Sequence, residues 1–178
     1  MGKGTLLGRI LKKRDHAWLS VSATTRSPRP SEVDGVDYAF VTTDQFESWI
    51  NDGGLLEWAK VHAGKYYGTP KQPVLDRLAA GDSVFLEIDT QGALQLMDSM
   101  PEAISIFIEP PSIEVLRQRL KNRGTENQEQ IDGRISVAQR EIEQKLRYNY
   151  RIINDNLDVA TQILGDIIDA EEQNSKNN

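Results

Sequence analysis

The run Ile104-Ser105-Ile106-Phe107-Ile108 does most to frame what this chain can fold into. It is dense in β-branched and aromatic residues, and Pro110-Pro111 breaks it at once. Ser112 then caps a helix reaching Asn122, and a short buried strand feeding a helix is the unit of a parallel sheet. The alternation recurs along the chain. Thr5 to Lys13 reads as a helix, Trp18 to Ser22 and Tyr38 to Val41 as strands. Asp44 to Asn51 is a helix stopped by Gly53-Gly54, and Lys71 to Ala80 one stopped by Gly81. Val84 to Asp89 is a strand closed by an acid, with the helix Gln91 to Met100 after it. Gly124 ends the Ser112 helix. Thr125 with Gln128 forms a capping box for a long helix with the apolar stripe Ile131, Ile135, Ala138, Ile142 and Leu146. Tyr150 to Ile153 is the last strand, Asp158 to Ala170 the last helix, and residues 171–178 a frayed tail. The fold class is therefore α/β with a mostly parallel sheet flanked by helices. Ligands on such sheets sit beyond the carboxyl ends of the strands, which directs attention to Ser22, Asp89, Pro110 and Asn154.

Length and charge narrow the function. The 178 residues fit one domain. There is no cysteine, so no disulfide or thiol chemistry, and His16 with His62 do not make a metal site. No apolar run approaches the roughly 18 residues that span a membrane, and no signal-peptide pattern is present, which points to the cytoplasm. A net charge of −6 argues against nucleic acid as the main partner. The charge is uneven, however: residues 1–40 hold seven Lys/Arg and four Asp/Glu, whereas residues 151–178 hold two and six. A local basic region in an acidic protein suits an anionic ligand, or else is an ordinary mixed surface.

Five constellations can carry chemistry. Gly2-Lys3-Gly4-Thr5 matches the closing half of a phosphate-binding loop, whose backbone N–H groups and lysine hold phosphates. Alone it is weak, because Gly-Lys pairs are common. Ser22-Ala23-Thr24-Thr25-Arg26-Ser27-Pro28-Arg29-Pro30-Ser31-Glu32, with Gly35 and Tyr38, presents two arginines on a constrained loop at a strand end. Guanidinium forks match phosphate oxygens, and the competing reading is a basic surface turn. Glu57 stands in the apolar run Leu56-Glu57-Trp58-Ala59, followed by Gly64-Lys65-Tyr66-Tyr67-Gly68-Thr69. In Glu87-Ile88-Asp89-Thr90-Gln91-Gly92 an acid closes a strand; it either binds a polar ligand or caps the next helix. Arg117, Arg119, Arg123 and Arg134 line two successive helices, as a mobile cationic lid or a solvated basic face.

Taken in order, these motifs resemble the guanylate kinase family over nearly all of residues 1–170. The resemblance implies a P-loop nucleoside monophosphate kinase-like sheet in one domain. It would carry a small β-rich GMP-binding part at about 22–82 and a helical lid at about 112–146. It implies transfer of a phosphoryl group from ATP to GMP or dGMP in purine metabolism, with no nucleic-acid or membrane partner. Arg26, Arg29, Tyr38 and Tyr67 would then hold the GMP phosphate, with Glu32 orienting the arginines. Ser22, Glu57, Thr69 and Asp89 would address guanine, and Glu87 stands where the family usually has Asp. A carboxylate can accept from guanine N1–H and N2–H₂, whereas adenine offers a bare acceptor there. Lys3, Arg119, Arg123 and Arg134 resemble the catalytic cationic clamp; Gly2, Lys3, Gly4, Thr5, Asn154 and Asp155 fall to ATP. Mg²⁺ would be carried mainly by ATP, with Thr5 as the candidate ligand because Gly4 occupies the usual Ser/Thr position.

The family pattern also places a hydrophobic strand and the Gly-rich half of the loop ahead of Gly2, where this chain has Met1 alone. An absent central strand would orphan roughly ten ladder groups at about 1–3 kcal/mol each, against a net stability of about 5–15 kcal/mol. The expectation is an N-terminally shortened, marginally stable and impaired kinase. The competing expectation is a catalytically dead module that binds GMP or a phosphorylated partner.

Overall fold

The computed structural model describes residues 2–61, 64–124 and 127–177, and of Arg123 the backbone alone. In chain order the elements are α1 (Lys3–Leu11), β1 (Ala17–Leu19), β2 (Ala23–Thr24), β3 (Ala39–Phe40), α2 (Thr43–Asn51), β4 (Leu55–Val61), β5 (Lys65–Pro70) and α3 (Lys71–Ala79). There follow β6 (Ser83–Phe85), α4 (Thr90–Ser99), β7 (Ile106–Glu109), α5 (Ile113–Arg123), α6 (Gln128–Glu143), β8 (Tyr150–Ile153) and α7 (Leu157–Asn177). They gather into two compact units, Met1–Lys13 with Ile104–Asn178, and Arg14–Ala103.

In the first unit, β7 and β8 form a parallel pair in the register Ile106–Tyr150 to Glu109–Ile153. Helix α1 buries Leu6 and Ile10, four residues apart and so on one face, and packs on α7, which buries Ala160, Leu164 and Ile168. Gly165 keeps that crossing close: a Cβ there would already touch Ile10 at 3.6 Å. Helices α5 and α6 share a small core of Leu116, Leu120, Ile131, Ile135 and Ala138. The expected stripe on α6 therefore holds as far as Ala138 but does not extend to Leu146. The helix ends at Glu143 and tightens into a 3₁₀ turn, Gln144–Arg147, whose larger angular step carries Leu146 out to 79% exposure. The capping box also lies elsewhere. Asn127 accepts from the Gln130 N–H at 2.9 Å while the Gln130 side chain accepts from the Asn127 N–H. Thr125 lies outside the described residues. Helix α7 runs through the segment expected to fray and ends at Asn177.

In the second unit, β1 pairs with β6 in parallel, so the parallel strands expected in one sheet form two separate ladders. Beside them is a mixed four-stranded sheet in the order β3-β2-β5-β4, in which β4 and β5 make an antiparallel hairpin. Phe46 of α2 stacks on Tyr66 with centroids 5.1 Å apart, and Ala23, Trp49 and Trp58 complete that core. Gly68 is required there. A Cβ would meet the Glu57 carbonyl oxygen at 2.7 Å and the Phe46 ring at 3.0 Å. The expected strand Val84–Asp89 pairs only as far as Phe85, and Asp89 becomes the N-cap of α4.

Candidate active site

Two side-chain clusters form in the second unit. The first is built around Arg26. Thr24, wholly buried, donates its hydroxyl to the Tyr66 carbonyl at 2.9 Å and accepts the Arg26 N–H at 3.2 Å. Thr25 Oγ1 accepts from the Tyr66 N–H at 3.0 Å. The two threonines thus pin the start of the Arg26 loop to β5. Its guanidinium binds Glu32 through two bonds, 2.8 and 2.9 Å, and its Nε donates to the Tyr67 hydroxyl at 3.0 Å. The rings of Tyr38 and Phe40 lie 5.4 and 5.6 Å from the guanidinium carbon. Glu32 also accepts the Arg29 N–H at 2.7 Å, and the Arg29 guanidinium, 70% exposed, lies 3.8 Å from its Oε1. The Arg26 bond, reinforced by the Arg29 N–H, holds the Glu32 carboxyl down to about 2. Burial, then neighbouring charges that include Glu87, pushes the Tyr38 hydroxyl up. Sequence-expected Arg26, Arg29, Glu32, Tyr38 and Tyr67 are thus brought together, with Glu87 within electrostatic reach.

The second cluster centres on Glu57 of β4, a carboxylate only 5% exposed. The Thr69 hydroxyl, fully buried on β5 opposite it, donates to its Oε1 at 2.6 Å. Burial raises the Glu57 pKa above the usual carboxylate range; the Thr69 bond pulls it down and the Asp89 charge pushes it up again. Asp89 accepts the Gly92 N–H at 2.9 Å, so it caps α4 and faces Glu57 electrostatically at once. A desolvated carboxylate that is held only by the hydroxyl and backbone N–H of Thr69 among the described residues, and faces the Asp89 charge, is incompletely compensated and suits a ligand that brings N–H donors. Ser22 immediately precedes β2, and its carbonyl accepts from the Ala39 N–H at 2.9 Å.

The first unit holds the remaining expected residues. Gly2 takes a left-handed φ of 84° at the N-cap of α1, a conformation a glycine adopts without penalty. Lys3, Gly4 and Thr5 form the first turn of that helix. Arg119 does not project alone from α5. It donates to the backbone carbonyls of Asn154 at 2.7 Å and Asp155 at 3.0 Å, so three expected residues meet through main-chain oxygens. Asn154 is buried, donates its N–H to the Glu109 carbonyl at 2.8 Å, and lies against Gly2, where a Cβ would stand 2.6 Å from its Nδ2. Arg134 lies exposed on α6, and Arg123 closes α5. Among the described residues no group of three or more Asp, Glu or His is placed to hold a metal ion. No helix among them is long and apolar enough to cross a membrane.

Comparison with known proteins decides the family. The guanylate kinase family model matches residues 1–171. The chain belongs to the guanylate kinase family. It is 47% identical to the guanylate kinase of Synechocystis sp. over 172 residues, 97% of this chain and 90% of that protein. It is also 47% identical to that of Caldanaerobacter subterraneus subsp. tengcongensis over 96% of this chain and 82% of that one. The crystal structure of guanylate kinase from Anaplasma phagocytophilum superposes with a TM-score of 0.79 at 34% identity, covering 95% of this chain and 81% of that one. The chain is therefore a kinase of α/β, nucleoside monophosphate kinase-like fold. Within this guanylate kinase, Phe40 and Gln95 had no signal in the sequence, and Gly92 closed the Glu87–Gly92 motif without a role of its own. Phe40 flanks Arg26. Gly92 lies beneath Glu57, and Gln95 ties α4 to β4 through both backbone polar groups of Trp58. Gln95 could have been found only by noticing that an edge strand leaves such groups unpaired.

Proposed function

We propose that this guanylate kinase transfers the terminal phosphoryl group of ATP to the phosphate of GMP, releasing ADP and GDP, in cytoplasmic purine nucleotide metabolism. The observation that carries the choice of acceptor is Glu57: buried, and bonded to the Thr69 hydroxyl at 2.6 Å. Guanine N1–H and N2–H₂ supply donors matching a carboxylate, and they offset its desolvation; adenine N1 would face it acceptor to acceptor. Ser22, Thr69 and Asp89 stand with Glu57 in this assignment.

The GMP phosphate falls to Arg26, Arg29, Tyr38 and Tyr67. Glu32 holds Arg26 bidentately, so its guanidinium loses little freedom when the phosphate arrives. Glu87, within electrostatic reach of Tyr38, belongs to the same GMP-binding set. No general base is needed, because the attacking phosphate oxygen is already largely ionised near neutral pH. The protein's work is positioning and charge neutralisation. Lys3, Arg119, Arg123 and Arg134 supply the cations for the transferring group, and Gly2, Gly4, Thr5, Asn154 and Asp155 belong to the ATP side. Thr5, exposed in the first turn of α1, would offer its hydroxyl to a magnesium ion that arrives with ATP. Bound there, magnesium would neutralise phosphate charge.

The test is a coupled ADP-release assay with GMP, dGMP, AMP and UMP. GMP should exceed AMP in kcat/KM by on the order of 10⁴, and Glu57→Ala should remove most of that ratio. Equal turnover of AMP and GMP would sink this assignment.

A further inference from the structure

We infer that Gly92, which has no side chain to offer a ligand, positions the Glu57 carboxylate and through it sets base selectivity; the inference rests on Glu57 reading guanine. A Cβ built on Gly92 would stand 2.8 Å from Glu57 Cδ and 3.3 Å from Cγ, inside the distance that packed carbons tolerate. The backbone of α4 is therefore the surface on which this carboxylate rests. On another side, Thr69 fixes Oε1.

Gly92 is itself held from two directions. Its N–H donates to Asp89 Oδ1 at 2.9 Å. Three residues on, Gln95 donates Nε2–H to the Trp58 carbonyl at 2.8 Å and accepts the Trp58 N–H at 3.2 Å. Trp58 follows Glu57 on β4, so one side-chain amide ties the helix that carries Gly92 to the strand that carries the carboxylate. A methyl group at position 92 meets the end of a side chain rather than backbone. The helix accepts it, alanine being the better helix former, and the carboxylate is what moves. Displacing a positioning group by about 1 Å costs on the order of 10²-fold.

The experiment compares GMP with inosine monophosphate, which keeps N1–H but lacks the 2-amino group. Gly92→Ala should raise the KM for GMP by roughly 10–100-fold with a smaller change in kcat, and should lower the GMP-over-IMP ratio. Gly8→Ala, a helical glycine with open space at its ideal Cβ, should leave both unchanged. Glu57→Asp draws the carboxylate back, so Glu57→Asp/Gly92→Ala should lose less than the product of the single effects. If Gly92→Ala matches the wild type while Glu57→Ala loses selectivity, the role of Gly92 is overturned and the guanine assignment stands. If Glu57→Ala keeps full selectivity, both fall. A Gly92→Ala chain that cannot fold also overturns the inference, which requires the carboxylate and not the backbone to yield.

Discussion

Thr69→Val isolates the buried bond on which the proposed acceptor site depends. The two side chains have nearly the same shape, so the change deletes a hydroxyl and little else. In the native protein that hydroxyl donates to Glu57 Oε1 at 2.6 Å, with Thr69 fully buried and Glu57 5% exposed. A hydrogen bond to a buried charged group is worth about 2 kcal/mol, whereas one to a neutral acceptor is worth about 1 kcal/mol. The loss must therefore depend on pH. Burial raises the Glu57 pKa in the folded chain above its unfolded value. Between those two values the native state holds a proton that the unfolded chain has released, so stability falls as pH rises through the window. Removing Thr69's hydroxyl takes away a bond that favours the ionised form and raises the folded pKa further. The variant and wild type should thus differ by about 2 kcal/mol, or about 4–8 °C in Tm, where Glu57 is ionised, and by about half as much at lower pH where it is protonated. Urea unfolding across a pH series reads this directly. A difference that does not change with pH, or stays below about 0.5 kcal/mol throughout, would refute the account of Glu57 as a buried carboxylate stabilised by the Thr69 hydroxyl.

Glu32→Gln should raise the KM for GMP by about tenfold with kcat nearly kept, because Arg26 loses its bidentate partner; steady-state kinetics decide it. The Glu32 pKa is held near 2, below its ordinary 4.5, so its contribution to stability is present above about 4.5 and lost as pH falls toward 2. Acid titration of the wild type should show that loss and Glu32→Gln should not. Gly68→Ala should destabilise by about 1–3 kcal/mol in a thermal melt, since its Cβ would press on the Glu57 carbonyl at 2.7 Å; an unchanged Tm would show that the β4–β5 hairpin yields easily. Arg119→Met should lower stability by about 1 kcal/mol through the bonds to the Asn154 and Asp155 carbonyls, and should raise the KM for ATP more than that for GMP. A chain of unchanged stability would show that those bonds are replaced by water.

Local signals were legible wherever one residue does one job close to its neighbours. Ser112 caps α5, Asp89 caps α4, and Gly124 ends α5 in a left-handed turn, as their positions in the sequence imply. Tyr150–Ile153 forms a strand over the expected residues. The α6 stripe, by contrast, was extended too far. Periodicity in the sequence continues to Leu146 whether or not the helix does, and the switch to a 3₁₀ turn leaves no mark in the pattern. β2 was missed because two paired residues, Ala23 and Thr24, are too few to show alternation.

The residue set of the proposed acceptor site was already present in the linear chain: arginines on a Pro-locked loop, an acid inside an apolar run, a second acid at a strand end. Residue type and spacing constrain what a side chain can donate, accept or charge, and these are properties of the residue itself. Which alternative each group adopts was decided by tertiary contact. Glu57 could have been an exposed strand charge, and became a buried acceptor only because β5 places Thr69 opposite it and α4 lays Gly92 against it. Arg119 could have faced solvent, and is instead spent partly on the carbonyls that follow β8. Burial and partner choice depend on segments distant in sequence, so no local pattern encodes them.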